Sequence, residues 1–193
     1  MKKMPTLFQR EFAEHHRVII HNIVTPGCEW VLNGEGTATR KVDGTCTMIQ
    51  NGNFFRRYDA KNGKPVPPKA IPCQDAPDPV TGHLPCWLPV DPADKENKWF
   101  VAAFEKAKPL PDGTYELCGP HFQGNPEHLE EDTLIRHGSI VLQDVPRTFE
   151  GIREYLRTHE IEGIVFYRGS GEMCKIKRTD FQFYWNNSNV KQK

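Results

Sequence analysis

The sequence predicts an α+β domain that is built on antiparallel β-sheet with flanking helices. The first observation is a hairpin pattern, in which a Thr-rich run at 37–49 leads through an Asn-Gly pair into an aromatic run at 53–58. Asn-Gly is favoured in two-residue hairpin turns. The second observation is another strand pair, at 161–168 and 173–178, joined by a glycine-containing turn. Helical patterns inserted between these strands are typical of the α+β class.

The remaining elements follow from local patterns. A short apolar run at 18–20 predicts a strand, and apolar residues at helical spacing predict a helix over 94–106. Residues 113–118 read as a strand that carries Glu116. Thr148 is the expected N-cap of a helix that runs to about residue 159.

A proline-rich stretch at 62–92 excludes a regular helix or a central strand under these rules. We expect an ordered surface excursion there. The alternative is a lid or substrate-facing loop, because Leu84 and Trp87 are apolar enough to pack down. The tail at 186–193 is expected to be frayed.

Length and composition favour one domain spanning 1–193 with a polar surface. The chain has 193 residues and 37% hydrophobic residues, and its mean hydropathy is −0.63. No apolar run has the length of a membrane span, and no signal-type segment follows the N-terminus. The six cysteines form no C-x-x-C pair, which indicates reduced thiols. We therefore expect a cytoplasmic protein that contacts no membrane and has no obligate protein partner.

The Lys-x-Asp-Gly signature Lys41-Val42-Asp43-Gly44 supplies a candidate nucleophile. A lysine with its ordinary pKa near 10.4 is protonated at pH 7, whereas neighbouring cations and desolvation lower that pKa. We expect Lys41 to project from one arm of the first hairpin, and Gly44 to let a ligand or backbone approach closely. Asp43 would share the face of Lys41 on a regular strand, where it would orient the amine, bind metal or form a simple salt bridge.

Further charged residues recur on the later strands. Lys175 and Lys177 alternate along a strand, so both amines project from one face and would lower the pKa of Lys41 and hold phosphate oxygens. The alternative is a solvated lysine pair. Glu162 opens an apolar strand, and its carboxylate either faces solvent or enters the site. For Glu116, the alternative to a role in the site is an acidic side chain on the protein surface.

In this order, these residues resemble the motifs of the covalent nucleotidyltransferases, which include polynucleotide ligases and messenger-RNA capping enzymes. The runs Thr-Pro-Gly-Cys-Glu-Trp-Val-Leu at 25–32 and Glu-Leu-Cys-Gly-Pro at 116–120 are similar to a small RNA ligase family that also has vertebrate members. The resemblance covers roughly residues 20 to 180. It implies a nucleotidyltransferase (ligase adenylation) domain that uses ATP and Mg²⁺, with Mn²⁺ as a possible substitute.

The resemblance also implies roles for individual residues. Lys41 would be the nucleophile, Glu162 a magnesium ligand and Glu116 a partner of the ribose, while Lys175 and Lys177 would hold the α-phosphate.

Contacts to the rest of the nucleotide are less distinct. Thr39 and Arg40 match positions that touch the base in relatives. Arg57 matches an arginine that contacts ribose or phosphate, and Arg56 competes with it because strand neighbours face opposite ways. We choose Arg57. His137 or Phe122 would pack against the purine.

These inferences predict an ATP-dependent RNA ligase that joins RNA 5′-phosphate and 3′-hydroxyl ends through a lysyl-AMP and an RNA-adenylate. The alternatives are a GTP-dependent capping-type guanylyltransferase, a small DNA nick ligase, and a catalytically silent nucleotide- or RNA-binding module. Sixteen residues follow Lys177, too few for the OB domain that capping enzymes and DNA ligases normally append.

The charge balance gives no general sign of nucleic-acid binding. Basic and acidic residues both number 25, so RNA binding would require a local cationic groove. A metal site of Cys73, His83 and Cys86 is the disfavoured alternative, because no fourth ligand is evident.

Overall fold

A computed structural model describes residues 1–13, 18–79, 81–169 and 171–186. The fold is α+β, with mostly antiparallel sheet and few helices. The chain divides into two compact units, and each is described by itself. Unit 1 consists of Met1–Lys3 and Asp43–His137, and unit 2 consists of Met4–Val42 and Gly138–Lys193. The assignment of residues 1–193 to a single domain stays a prediction.

The strands in chain order are β1 (Phe8–Phe12), β2 (Val18–Val24), β3 (Thr37–Lys41), β4 (Thr45–Gln50), β5 (Asn53–Ala60), β6 (Ile71–Pro72), β7 (Leu84–Pro89), β8 (Gly113–Cys118), β9 (Thr133–Arg136), β10 (Gly163–Tyr167) and β11 (Met173–Lys177). The α-helices are α1 (Glu29–Leu32), α2 (Lys98–Ala107) and α3 (Phe149–Thr158). Short 3₁₀ turns cover Lys95–Asn97 and Arg178–Phe181.

Unit 1 is a six-stranded antiparallel sheet in the order β6-β7-β5-β4-β8-β9. Residues on one face of this sheet pack against α2, which buries Ala103 and Phe104. The rings of Phe54 and Phe104 stack with centroids 4.6 Å apart. Burial of these apolar side chains holds the helix on the sheet.

Unit 2 contains a three-stranded sheet in the order β11-β10-β3 and a separate hairpin of β1 and β2. Its core includes Ile164, Phe166 and Ile176 from the sheet and Ile152 and Leu156 from α3. Helix α3 begins as the sequence predicts, because the hydroxyl of its N-cap residue accepts a hydrogen bond from the backbone N–H of the third helical residue.

The prediction that Lys41 lies on an arm of the Asn-Gly hairpin is wrong. That hairpin joins β4 to β5, whereas Lys41 ends β3, which pairs with β10. The predicted single strand over 37–49 is interrupted between Lys41 and Thr45. The physical reason is that β3 pairs with β10 whereas β4 pairs with β8. At Gly44, between them, an added Cβ would lie 2.5 Å from the carbonyl oxygen of Leu117. This confirms that Gly44 admits a neighbouring backbone.

The exclusion of a central strand from 62–92 is also wrong. β7 lies between β6 and β5 in the sheet, and its Trp87 is buried. β6 pairs with only two residues of β7, so most of β7 has one neighbour. Prolines are tolerated on such edge-like positions, which explains Pro85 and Pro89.

Three smaller expectations have mixed outcomes. The strands at 18–20 and 113–118 are confirmed within β2 and β8. The segment after residue 28 begins with a short helix, α1, which we did not predict. The frayed tail at 186–193 lies outside the described residues except for residue 186. In the described part of the chain, no helix is both long enough and apolar enough to cross a membrane.

Candidate functional site

The candidate residues fall into two clusters, one in each unit. We call the group of Lys41, Glu162, Lys175 and Lys177 in unit 2 the lysine cluster. We call the group of Cys46, Glu116 and His137 in unit 1 the Glu116 cluster. Each has its own geometry, given below.

The lysine cluster is ordered by the register of the three-stranded sheet. Gly163 in the central strand lies opposite both Lys41 and Lys177, and Val165 lies opposite both Thr39 and Lys175. Residues at alternate positions share a face, so the three lysines project from the same side. The sequence prediction that Lys175 and Lys177 share a face is therefore confirmed.

Gly163 lies between two of these lysines and lets β11 pack closely against β10. A Cβ at this position would lie 2.2 Å from the carbonyl oxygen of Ile176, so no other residue fits without displacing β11. The row Lys41, Gly163, Lys177 thus carries side chains only at its two ends. The carboxylate of Glu162 bridges the ammonium groups at those two ends.

Glu162 links those two lysines. Its Oε2 accepts from Nζ of Lys41 at 2.5 Å, and its Oε1 lies 3.0 Å from Nζ of Lys177. The carboxylate side chain is 4% exposed, so the sequence alternative in which it faces solvent does not hold. A buried carboxylate needs such partners because desolvation disfavours its charge.

Lys175 has a strongly altered titration. Burial, together with the nearby charges of Lys41, Lys177 and Arg10, lowers the pKa of Lys175 to about 8, and Glu162 opposes this effect. Arg10 is a member of this network that sequence reasoning missed. Its guanidinium donates to the buried carboxylate of Asp180 at 2.7 Å.

Asp180 ties the network to β11. Its Oδ2 also accepts from the backbone N–H of Lys177 at 2.8 Å. Arg10 and Asp180 are 170 positions apart in the chain, and no local pattern relates them. Their pairing is a product of the fold.

The Glu116 cluster lies on adjacent strands of the six-stranded sheet. Cys46 in β4 is directly opposite Glu116 in β8. His137 follows β9, and its Nε2 lies 2.8 Å from Oε2 of Glu116. The backbone N–H of Gly44 donates to Oε1 of Glu116 at 3.1 Å. Glu116 is thus a buried, oriented carboxylate rather than the surface acid of the alternative interpretation.

Thr39 and Arg40 are separated by the strand alternation. Thr39 shares the face of Lys41, but it is buried and its hydroxyl donates to the carbonyl of Val165. Arg40 lies opposite Ile164, on the other face of the sheet. The structure therefore brings Thr39, and not Arg40, to the sheet face of Lys41.

The same alternation separates Arg56 from Arg57. Arg56 lies over the ring of Phe100 in α2, on the core face. Arg57 projects from the opposite face, which the register assigns also to Glu116. Its guanidinium donates to Asp59 and to the carbonyl of Met1.

The remaining expected contacts have other environments. Asp43 lies outside any strand, so the argument that it shares a face with Lys41 does not apply. Its backbone N–H donates to Glu127 at 2.8 Å. Phe122 is buried in the core of unit 1 and packs edge-on against Phe100, which removes it as a purine contact.

Comparison with known proteins gives matches to RNA ligase 1. No protein-family model matches the chain. RNA ligase 1 of Rattus norvegicus is 28% identical over 167 residues, which cover 67% of this chain and 47% of that protein. The Mus musculus and Danio rerio proteins of the same name are 27% identical, and the matches cover 67% of this chain and 46% of each of them. These matches support a relationship with RNA ligases. The chain spans about half the length of the curated relatives it matches.

The carboxylate of Glu162 fits a magnesium ion on one condition. Mg²⁺ commonly takes one or two carboxylates and completes its shell with water and substrate phosphates. Both oxygens of Glu162 are held by ammonium groups, so one ion pair has to open before this carboxylate binds a metal. Phosphates that attract Lys41 or Lys177 would favour that opening.

The possible metal ligands in the structure differ from the set that the sequence suggested. Among the described residues, one set of His, Cys, Asp or Glu side chains has donor atoms close enough to share an ion, and it is the Glu116 cluster. Cys73, His83 and Cys86 do not form such a set.

Proposed function

We propose that this protein is an ATP-dependent RNA ligase that joins 5′-phosphate and 3′-hydroxyl ends of RNA. The observation that carries the proposal is the placement of Lys41 at 2.5 Å from a buried glutamate, on a sheet face shared with Lys175 and Lys177. The similarity to proteins named RNA ligase 1 supports RNA as the substrate class.

The reaction has three in-line displacements at phosphorus. In the first, Nζ of Lys41 loses a proton and bonds to the α-phosphorus of ATP, while the bond to pyrophosphate breaks. In the second, an oxygen of the RNA 5′-phosphate attacks the AMP phosphorus and the P–N bond breaks. In the third, the RNA 3′-hydroxyl loses its proton and attacks the 5′-phosphorus, which forms the phosphodiester and releases AMP. All three use one set of phosphate contacts.

The ion pair between Lys41 and Glu162 holds the nucleophile in its resting form. A carboxylate at 2.5 Å stabilises the ammonium, which cannot attack phosphorus. The amine becomes reactive when Glu162 acquires another cationic partner and the surrounding lysines favour loss of the proton. Lys175 and Lys177 have two roles here, since each contacts phosphate and each repels a charge on Lys41.

Glu162 is the residue that would hold Mg²⁺, with Mn²⁺ as a substitute. The bound ion would supply offsetting charge for the triphosphate and orientation of the pyrophosphate leaving group. Glu116 is proposed to accept hydrogen bonds from the ribose hydroxyls, because a carboxylate is an acceptor without a donor. Thr39 and Arg57 are proposed nucleotide contacts, because Thr39 shares a sheet face with Lys41 and Arg57 shares one with Glu116. Arg40 and Asp43 are proposed only on resemblance.

A sealing assay tests this function. Nicked duplexes with a 5′-phosphate are incubated with Mg²⁺ and either ATP or GTP, and ribose is exchanged for deoxyribose on each side of the nick. We expect sealing that depends on ATP. Its rate should fall when deoxyribose replaces ribose at the nick, because 2′-hydroxyls distinguish RNA from DNA. Lys41→Met should abolish sealing, whereas Lys64→Met, at an exposed lysine, should not.

Each other outcome contradicts the proposal in a distinct way. Equal sealing of all-DNA nicks indicates a DNA nick ligase, and covalent labelling only by GTP indicates a capping-type guanylyltransferase. Nucleotide or RNA binding without any covalent intermediate indicates a silent binding module.

A further inference from the structure

We propose that Cys46, Glu116 and His137 form a binding site for one Zn²⁺ ion. Their donor atoms, a thiol sulfur, a carboxylate oxygen and an imidazole nitrogen, all lie within 4.8 Å of one another. This separation is close to what a single tetrahedral ion spans, with bonds of about 2.0 to 2.3 Å. Small rotations of the side chains would therefore complete the site.

The backbone of unit 1 holds these donors in place before any ion binds. Cys46 and Glu116 are direct partners across β4 and β8. Glu116 is opposite Ile135 in β9, and His137 is two positions further along, so the register gives all three the same face. The backbone N–H of His137 donates to the carbonyl of Thr114, which continues the pairing beyond β9. Sites built on strands are more precise than sites on loops.

The donor set is selective for a borderline metal. Sulfur and imidazole nitrogen are ligands of zinc, whereas magnesium prefers oxygen donors. Three protein ligands with a fourth position open are the usual arrangement for zinc sites that accept water or another ligand. The site is thus distinct in chemistry from the magnesium site proposed at Glu162, whose protein ligand is a single carboxylate.

Neighbouring groups already orient the ligands. Oε1 of Glu116 is engaged by the N–H of Gly44, which directs Oε2 towards His137. Outer partners of this kind fix ligating side chains and raise metal affinity. Nδ1 of His137 is buried and has no hydrogen-bond partner among the described residues, so the pair with Glu116 does not satisfy the ring.

Charge also favours an ion at this position. The carboxylate of Glu116 is buried, and a thiolate at Cys46 would add a second negative charge beside it. A dication bound to both gives a neutral centre, which lowers the cost of burying them. The ordinary alternative is an ion pair of Glu116 and His137 without a metal ion.

Zinc binding has a consequence for the proposed ligase. Because Glu116 is also the proposed ribose contact, zinc and nucleotide would exclude each other. This consequence rests on the proposed function, whereas metal binding itself does not. The test is therefore made without nucleotide or RNA, so that its failure and the failure of the ligase proposal are distinguishable.

The experiment titrates the metal-free 193-residue chain with Co²⁺, a spectroscopic substitute for zinc. We expect a thiolate-to-cobalt charge-transfer band that saturates at one equivalent and disappears when Zn²⁺ is added. Cys46→Ser should abolish the band, and His137→Gln should weaken binding by about tenfold or more. Cys73→Ser, at another partly buried cysteine of unit 1, is the matched control and should keep the band.

A band that is absent from the wild-type protein, or that persists in Cys46→Ser, overturns the proposal. A second measurement on the wild-type protein covers the case in which a variant fails to fold. Alkylation of each cysteine is mapped by mass spectrometry with and without Zn²⁺. We expect zinc to slow alkylation of Cys46 and not of Cys73, and equal alkylation of Cys46 in both conditions contradicts the site.

Discussion

Lys175 shows how the lysine cluster acts on one of its own members. It is partly buried, and three other cations affect it, so its pKa falls to about 8. An unfolded lysine titrates near 10.4, so folding makes this charge harder to keep. Protonated Lys175 therefore lowers the stability of the folded state. The concentration of positive charge that contributes to this cost also favours the binding of anions.

This cost predicts a stability difference that depends on pH. Between about pH 8 and 10.4 the unfolded chain binds more protons at this position than the folded chain, so stability rises with pH across that window. Below pH 8, Lys175 is protonated in both states, so the folded state bears the full cost of this charge. We expect Lys175→Met to be more stable than the wild-type protein by roughly 2 to 3 kcal/mol at pH 7, and the difference to shrink towards pH 10.

Denaturant unfolding at several pH values checks this prediction. Lys64→Met, at an exposed lysine, is the control and should show no pH-dependent difference from the wild-type protein. A stability difference for Lys175→Met that stays constant from pH 7 to 10 would mean that Lys175 is not the group responsible. The variant should also be slow in nucleotidyl transfer, because it lacks a proposed phosphate contact.

At this scale the sequence predicted which side chains lie in buried polar clusters better than it predicted their partners. Lys41, Glu116 and Glu162 were selected by type and position, and the structure buries both glutamates. That Glu162 holds two lysines was not predictable, because Lys41 lies 121 positions from it. The role of Arg10 was missed for the same reason.

Gly163 is the position where strand geometry and the site depend most directly on each other. It lies in the central strand of the unit 2 sheet, and an added Cβ would lie 2.2 Å from the backbone oxygen of Ile176. The missing side chain permits β11, which carries Lys177, to pack closely against the strand that pairs with Lys41. One glycine thus sets both strand spacing and lysine spacing.

We therefore expect Gly163→Ala to lower the free energy of unfolding by about 1 to 3 kcal/mol, in the range of other overpacked positions. It should also slow formation of the lysyl-AMP, since it displaces one lysine-bearing strand. Gly169→Ala is the matched control, because a Cβ there meets no atom within 4 Å. Its effect should stay within about 0.5 kcal/mol. Equal stability of the two variants in denaturant unfolding would refute the close packing at Gly163.

The elements that were predicted correctly are those with complete local signals. β8, β10, β11 and α3 carry their own periodicity, and α3 has its own cap. The break between β3 and β4 has no such signal, because it follows from β3 pairing with β10 and β4 pairing with β8. The sequence did not predict β7, because proline is normally excluded from central strands. That exclusion does not apply where the neighbouring strand, β6, pairs with only two residues of β7.

For the whole molecule, the division into units falls inside the sequence signature. Lys41 and Val42 belong to unit 2, whereas Asp43 and Gly44 belong to unit 1. The second division follows His137, a member of the Glu116 cluster. Contiguous motif residues therefore contribute to different units, which a search for local patterns does not reveal.

The zero net charge of the chain conceals a local concentration of cations. Lys41, Lys175, Lys177 and Arg10 lie in one network, and two buried carboxylates, Glu162 and Asp180, face them. With both carboxylates ionised, the network has an excess of two positive charges when Lys175 is protonated and of one when it is neutral. A protein without a general basic field can therefore still hold phosphate groups at one face.

The most direct test of this account is covalent labelling of Lys41. The wild-type protein is incubated with Mg²⁺ and α-labelled ATP or GTP, then denatured and digested, and the labelled peptide is sequenced by mass spectrometry. The account predicts AMP on Lys41 from ATP, and no label in Lys41→Met. Absence of label with both nucleotides, or label on a different residue, would contradict it.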